Sequence, residues 1–109
     1  MRKNEDVVIY QDERFYASFP SVVVSPEGQL ILAFRRAPNR RLFGANGYTH
    51  ADPNSYLVLV RSDDQGKTWS AVPEHIFAHP LGGSQDPCMV MLRNGTIVLT
   101  SYAWTVVPE

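Results

Sequence analysis

Three short stretches hold most of the side chains able to do chemistry: Arg35-Arg36 with Arg40-Arg41 close behind, His50 with Asp52, and His79 followed by Gln85-Asp86. Arginines offer a fixed positive charge and a planar fork of donors, so a convergent set favours an anionic ligand. Carboxylates and imidazoles move protons where geometry brings them to the reacting atoms. Each stretch also has a plain structural explanation. Arginines at a strand end are commonly solvated, Asp52-Pro53-Asn54 has the composition of a turn, and Asp86 before Pro87 suits the capping of backbone N–H groups. Whether the three stretches meet depends on the elements that carry them.

Those elements read as strands. Val7-Val8-Ile9-Tyr10 is a short β-branched run, expected as an edge or closing strand. Residues 19–24 form a strand with Pro20 near its start, where a missing donor does least harm. Ser25-Pro26-Glu27-Gly28-Gln29 is a turn, and residues 30–36 return as a second strand. Residues 37–54 contain Pro38, Gly44, Gly47 and Pro53 and no helical period, so they are expected as a long loop, a kind usually functional or disordered. A third strand covers residues 55–61 and a fourth residues 69–77, the latter interrupted by Pro73 and so outermost. No stretch has the pattern of a helix.

A repeat sets the architecture. Pro20, Val23, Gly28 and Leu32 recur as Pro87, Val90, Gly95 and Leu99 at an ungapped offset of 67, so residues 88–92 and 97–104 repeat the first hairpin. In a meander, successive connections alternate between the two ends of the sheet. The turns at Gly28, Gly66 and Gly95 therefore share one end, and Ser18, Phe19, the long loop and residues 78–86 share the other. All three chemical stretches fall at that second end, where Gln85 and Asp86 take the repeat positions of Ser18 and Phe19. A small β-sandwich is the alternative for six or seven short strands.

Between the third and fourth strands lies Ser62-Asp63-Asp64-Gln65-Gly66-Lys67-Thr68-Trp69. An ordinary hairpin turn accounts for Asp64 and Gly66 but not for Ser62, Thr68 and Trp69 as well. The spacing Ser-x-Asp-x-Gly-x-Thr-Trp resembles the Asp-box of sialidases and related β-propellers, a structural staple of the turn between the third and fourth strands of a blade. The order of Phe19-Pro20-Ser21-Val22-Val23, the Gly28 turn, Leu32-Ala33-Phe34-Arg35-Arg36, the polar loop and the box is similar to the start of sialidase (neuraminidase) propellers. The similarity spans roughly residues 15–104 and is strongest at the box.

The resemblance implies an all-β chain built of four-stranded antiparallel blades of a six-bladed propeller. About one and a half blades are present: the first over about residues 15–80, the start of the second over about 85–104, in one partial propeller region, 1–109. Propellers close with ~4 to 8 blades, so the chain is expected to be a piece of a longer protein or to complete its ring by self-association. The implied activity is hydrolysis of a terminal sialic acid or related sugar. The family uses three arginines for the sugar carboxylate, an aspartic acid as acid/base and a tyrosine activated by a glutamate as nucleophile. By position, Asp52 matches the acid/base, with His50 and Asn54 able to hydrogen-bond it. Arg36, with Arg35 the alternative, lies near the expected carboxylate site. Gln85 and Asp86 flank the axis, Asp86 suited to a sugar hydroxyl, and Tyr48 is a candidate stacking residue. The family's Arg-Ile-Pro falls on Ser18-Phe19-Pro20, so serine replaces the first arginine. The nucleophile pair and the other arginines are expected outside this chain, and a 109-residue monomer is not expected to turn over sialosides. The serine favours the alternative, a non-catalytic glycan- or protein-binding scaffold.

Composition narrows the partners. A formal net charge of -1 gives no bulk attraction to nucleic acid or an anionic membrane, and the basic cluster at residues 35–41 is short. Cys88 is the sole cysteine, which excludes an intrachain disulfide and the zinc-type spacings, so neither metal nor cofactor is expected. The first residues hold no signal-peptide core and no apolar run spans a bilayer, making the cytoplasm the default location.

Overall fold

Alternating apolar residues and tight turns fold the chain into two antiparallel sheets, and the computed structural model describes residues 4–44, 50–105 and 107. The first sheet has the order β1 (Phe15–Val24), β2 (Leu30–Pro38), β3 (Tyr56–Ser62), β4 (Glu74–Phe77); the second pairs β5 (Gly82–Met91) with β6 (Ile97–Thr105). The all-β expectation holds. No helix among the described residues is long and apolar enough to cross a membrane.

The two hairpins share one register. Val24 pairs with Leu30 and Met91 with Ile97; Phe15 pairs with Pro38 and Gly82 with Thr105; every pair of one hairpin is a pair of the other displaced by 67 residues. Even the irregularities coincide, between Ser18 and Ser21 in β1 and between Gln85 and Cys88 in β5. At the tips, Gly28 and Gly95 both have φ of 87°, the left-handed conformation that glycine adopts without strain. Their N–H groups close the turns on Ser25 O at 2.9 Å and Leu92 O at 3.0 Å.

Several elements differ from expectation. Strands β1 and β5 begin at Phe15 and Gly82, because Pro20 and Pro87 lie inside the bulges, where no ladder bond is required of them. Strand β4 covers only Glu74–Phe77. Ser70 N–H still bonds Arg61 O at 2.9 Å, but the chain then leaves the ladder until it has passed Pro73, which has no N–H to give. Residues 7–10 join no strand; Ile9 and Tyr10 pack instead on the cluster of Phe34, Val58 and Val60. Within the long loop, Arg40–Phe43 form one 3₁₀ turn, started by the Asn39 side chain accepting from Arg41 N–H and ended by Gly44 at φ 78°.

The central strands of the first sheet, β2 and β3, are buried on both faces. One carries Phe34, Val58 and Val60, covered by Ile9, Tyr10 and Trp69. The other carries Ile31, Ala33, Arg35 and Leu57, against which β5 packs. Each full burial of a large aliphatic or aromatic side chain contributes about 1.5–3 kcal/mol. The sheets are stitched by polar bonds: Ser84 N–H to Ser55 O at 2.9 Å, Ser55 Oγ–H to Ser84 O at 2.9 Å, and Met89 N–H to Ser21 Oγ at 3.0 Å.

Candidate functional site

Alternation along β2 sends Arg35 and Arg36 to opposite faces. Arg35, 0% exposed, faces β5. It donates from Nη1 to Ser18 Oγ at 3.4 Å, directly across the ladder, and from Nη2 to the His50 carbonyl oxygen at 3.2 Å. Burial pulls its pKa down, opposed in part by the carboxylates of Asp52 and Asp86. Arg36 stands on the far face, away from those carboxylates. It donates to the hydroxyls of Tyr56 at 2.8 Å and Tyr10 at 2.9 Å, with its guanidinium 4.1 Å from the Phe15 ring centroid. There it ties the N-terminal segment to the sheet, and the structure does not bring it to the cluster.

Asp52 is 2% exposed, and Arg40 grips both its oxygens, Nε to Oδ2 at 2.7 Å and Nη2 to Oδ1 at 2.8 Å. Asn54 N–H adds a bond to Oδ1 at 2.8 Å. Burial raises the carboxyl's pKa, but the bonds from Arg40 and Asn54 and the charges of Arg40 and Arg35 outweigh it, leaving the group below its ordinary value. Asp52 is therefore an ionised carboxylate at neutral pH. Its guanidinium partner comes from the 3₁₀ turn in the loop, so Arg40 is engaged rather than merely solvated. Arg41 remains exposed there, its N–H bound to Asn39. His50 is exposed and offers its carbonyl to Arg35 while its ring packs on Phe19, centroids 5.3 Å apart. Tyr48 lies outside the described residues.

From the second sheet come Gln85 and Asp86. Asp86 has φ of 40°, and Phe19, its counterpart in the first hairpin, φ of 55°. Such a conformation costs a non-glycine residue roughly 1–2 kcal/mol. The bulge directs Asp86 to Tyr102, whose hydroxyl donates to Oδ2 at 3.1 Å; Oδ1 is buried and finds no partner among the described residues. Gln85 is 1% exposed, and neither its Oε1 nor its Nε2 is hydrogen-bonded among them. Tyr102 has its pKa raised by desolvation and by the bond to Asp86, so it stays a protonated donor.

The frame around the cluster is tight. Gly82 and Gly83 are buried, and a Cβ on Gly83 would run into the Asp52 carbonyl and Ser55 Oγ, one on Gly82 into the Trp104 carbonyl. His79 braces the entry to β5, its N–H donating to Ser84 Oγ at 3.2 Å and its Nδ1 accepting from Leu81 N–H at 3.1 Å. At the opposite end of the sheet, all five box residues engage. Asp64 Oδ1 accepts from Ser62 Oγ–H and from Thr68 N–H, both at 2.8 Å, and Oδ2 from Thr68 Oγ1–H at 2.5 Å. Ser62 Oγ accepts from Gly66 N–H at 2.9 Å, and Trp69 Nε1–H reaches Gly66 O at 3.1 Å. These bonds brace a turn far from the cluster.

The fold thus gathers Arg35, Asp52 and Asp86, with Gln85 buried next to Asp86 on β5, brings in Arg40, read from sequence only as part of the basic cluster, and Tyr102, and leaves Arg36 outside. Tyr102 was reachable in principle: it is the residue 67 places after Arg35.

No family model and no curated protein matches the chain. Among solved structures, it is similar to the crystal structure of a protein of unknown function from Dyadobacter fermentans, with 57% identity and a TM-score of 0.92 over 98% of this chain. The chain spans 29% of the length of that structure.

Proposed function

We propose that this chain forms part of a sialidase-like glycoside hydrolase, its two sheets being successive blades of a propeller and the cluster one wall of a sugar site. The observation that supports this best is convergence: Arg35 and Asp52 of one repeat unit and Asp86 of the next lie within electrostatic reach of one another at one end of the sheets. In this reading Arg35 supplies the fixed positive charge, reaching across the ladder to the place where Ser18 leaves room for it. Asp86 accepts from a sugar hydroxyl. Asp52 is the acid/base: once Arg40 is drawn off and the carboxyl is protonated, it gives its proton to the glycosidic oxygen as the bond to the anomeric carbon breaks and a nucleophile from outside this chain bonds that carbon; Asp52 then takes a proton from the water whose oxygen displaces the nucleophile and completes hydrolysis.

A second reading, glycan binding without turnover, is favoured by the grip of Arg40 on a buried Asp52. The two are separated with the full-length protein and fluorogenic glycosides of N-acetylneuraminic acid, glucuronic acid and galactose. Hydrolysis that rises toward acid pH and is lost in Asp52→Asn is the expected result. Binding of these sugars without release of the fluorophore would select the second reading, and neither binding nor hydrolysis would overturn both.

A further inference from the structure

The arginines of this region differ in what they hold. Arg35 donates to the Ser18 hydroxyl and the His50 carbonyl, and Arg36 to the hydroxyls of Tyr10 and Tyr56, all neutral oxygens. Arg40 holds a carboxylate, through two bonds to Asp52 of 2.7 and 2.8 Å. A guanidinium fork paired in this way can exchange its partner for a second carboxylate of the same geometry. The pair also joins unlike settings: the Arg40 side chain is 30% exposed and comes from a 3₁₀ turn in a loop, whereas that of Asp52 is 2% exposed. This chain supplies both sides of the seam, because β5 of the second unit already packs there, with Gly83 against the Asp52 carbonyl.

Exchange at Arg40 changes the charge of Asp52. Burial is the largest influence on this carboxyl and favours its neutral form; the bonds from Arg40 and Asn54 and the charges of Arg40 and Arg35 together overcome it. When Arg40 leaves, its bonds and its charge go with it, and an incoming anion adds a like charge nearby. Both changes favour the protonated form. What then remains around Asp52 is the Asn54 N–H and Arg35 on β2, a cation that Asp86 of β5 and Tyr102 of β6 also act upon. The exposed His50 turns its ring to Phe19.

We propose that Arg40 couples the binding of an acidic sugar to the protonation of Asp52: the sugar carboxylate takes the guanidinium from Asp52, and Asp52 takes a proton from solvent in the same step, so the acid is loaded only when an acidic sugar is bound. The guanidinium keeps its own protons and charge throughout. The proposal rests on the reading of the cluster as a carbohydrate site with Asp52 as its acid. Calorimetric titration of the full-length protein at about pH 5, in buffers of different ionisation enthalpy, counts the protons taken up with each ligand. The ligands are the methyl α-glycosides of N-acetylneuraminic acid and glucuronic acid, both ionised at that pH, and of galactose, which is neutral. Wild type should take up about one proton with an acidic glycoside and none with the galactoside. Arg40→Gln should take up none, its Asp52 being protonated beforehand, and should bind the acidic glycoside about tenfold or more weakly, the range of a charge-assisted hydrogen bond. Uptake that persists in Arg40→Gln or in Asp52→Asn would belong to another group, His50 foremost, and would overturn the coupling. Three wild-type results, which require no variant to fold, would do the same: binding of an acidic glycoside without uptake, equal uptake with the galactoside, or binding of the galactoside alone. Each of these leaves the carbohydrate reading standing. Absence of binding to all three glycosides would overturn the carbohydrate reading and this proposal with it.

Discussion

Arg40 closes on Asp52 through two bonds, 2.7 and 2.8 Å long, from a 3₁₀ turn twelve residues upstream, and this pairing governs the protonation of a carboxylate otherwise sealed from water. Desolvation alone would push Asp52 upward; the guanidinium reverses the sign. Because the folded pKa lies below the ordinary 3.8, the pair's contribution to stability is present above that value and is lost as the pH falls through the folded pKa. Arg40→Ala leaves the burial and removes the opposing bonds, so the Asp52 carboxyl should titrate at higher pH, as followed by NMR of its carboxyl carbon. The variant should also lose about 1–3 kcal/mol, since Arg40 is only partly shielded. An unmoved titration would show that Arg40 does not set the protonation of Asp52.

The box gives a second acid-sensitive element, at the far end of the sheet. Thr68, through its hydroxyl and its N–H, and then Ser62 hold the Asp64 carboxyl at about 2, against an ordinary 3.8. The sign is that of Asp52. Stability from this group is complete above pH 3.8 and drains away as the pH approaches 2. Urea unfolding of the full-length protein across this window should show a steeper loss for wild type than for Asp64→Asn. Parallel curves would mean that the box carboxylate adds nothing that depends on its charge.

Ser62 is the buried half of the same staple, 1% exposed, donating to Asp64 and accepting from Gly66 N–H. Ser62→Ala strands that N–H and frees one Asp64 oxygen, at a cost of about 1–2 kcal/mol in thermal or chemical unfolding. Ser62→Thr keeps the hydroxyl but adds a methyl to a closed site, so it should recover only part of the loss.

Much of the fold was legible because local rules and the repeat agree. Gly28 and Gly95, Pro20 and Pro87, and the alternation of Ile31, Ala33 and Leu57 against Phe34 and Val58 all point to paired hairpins. The errors arose where tertiary contacts decide. Proline at residue 20 reads as a strand start, yet a bulge accommodates it mid-strand. Residues 7–10 have strand composition, but Ile9 and Tyr10 pack on the Phe34 cluster and the segment joins no ladder. Parity of the meander connections brings residues 35, 52 and 86 to one end, but it does not choose a face: two adjacent arginines are chemically alike in sequence, and only alternation along β2 shows that Arg35 and not Arg36 looks toward Asp52. The Arg40–Asp52 pair was hidden because a loop without periodicity gives no clue to where a twelve-residue return will land.

The glycine pair at the start of β5 provides the sharpest structural test, since it ties the seam between the sheets to the carboxylate. Ser84 and Ser55 exchange two bonds of 2.9 Å there, which brings the β5 backbone against the Asp52 carbonyl. A side chain at Gly83 has no room: its Cβ would press on that carbonyl and on Ser55 Oγ, neither of which is the far end of a flexible side chain. Gly28 is the opposite case. It has no heavy atom within 4 Å of a built Cβ, and only its φ of 87° opposes substitution. Gly28→Ala should therefore cost about 1–2 kcal/mol, the price of the left-handed conformation. Gly83→Ala should cost at least about 3 kcal/mol, and by shifting the Asp52 backbone it should also move the Asp52 titration. Thermal unfolding of the two variants side by side decides the matter: equal losses would mean that the close approach of β5 to Asp52 is not a constraint the fold must meet.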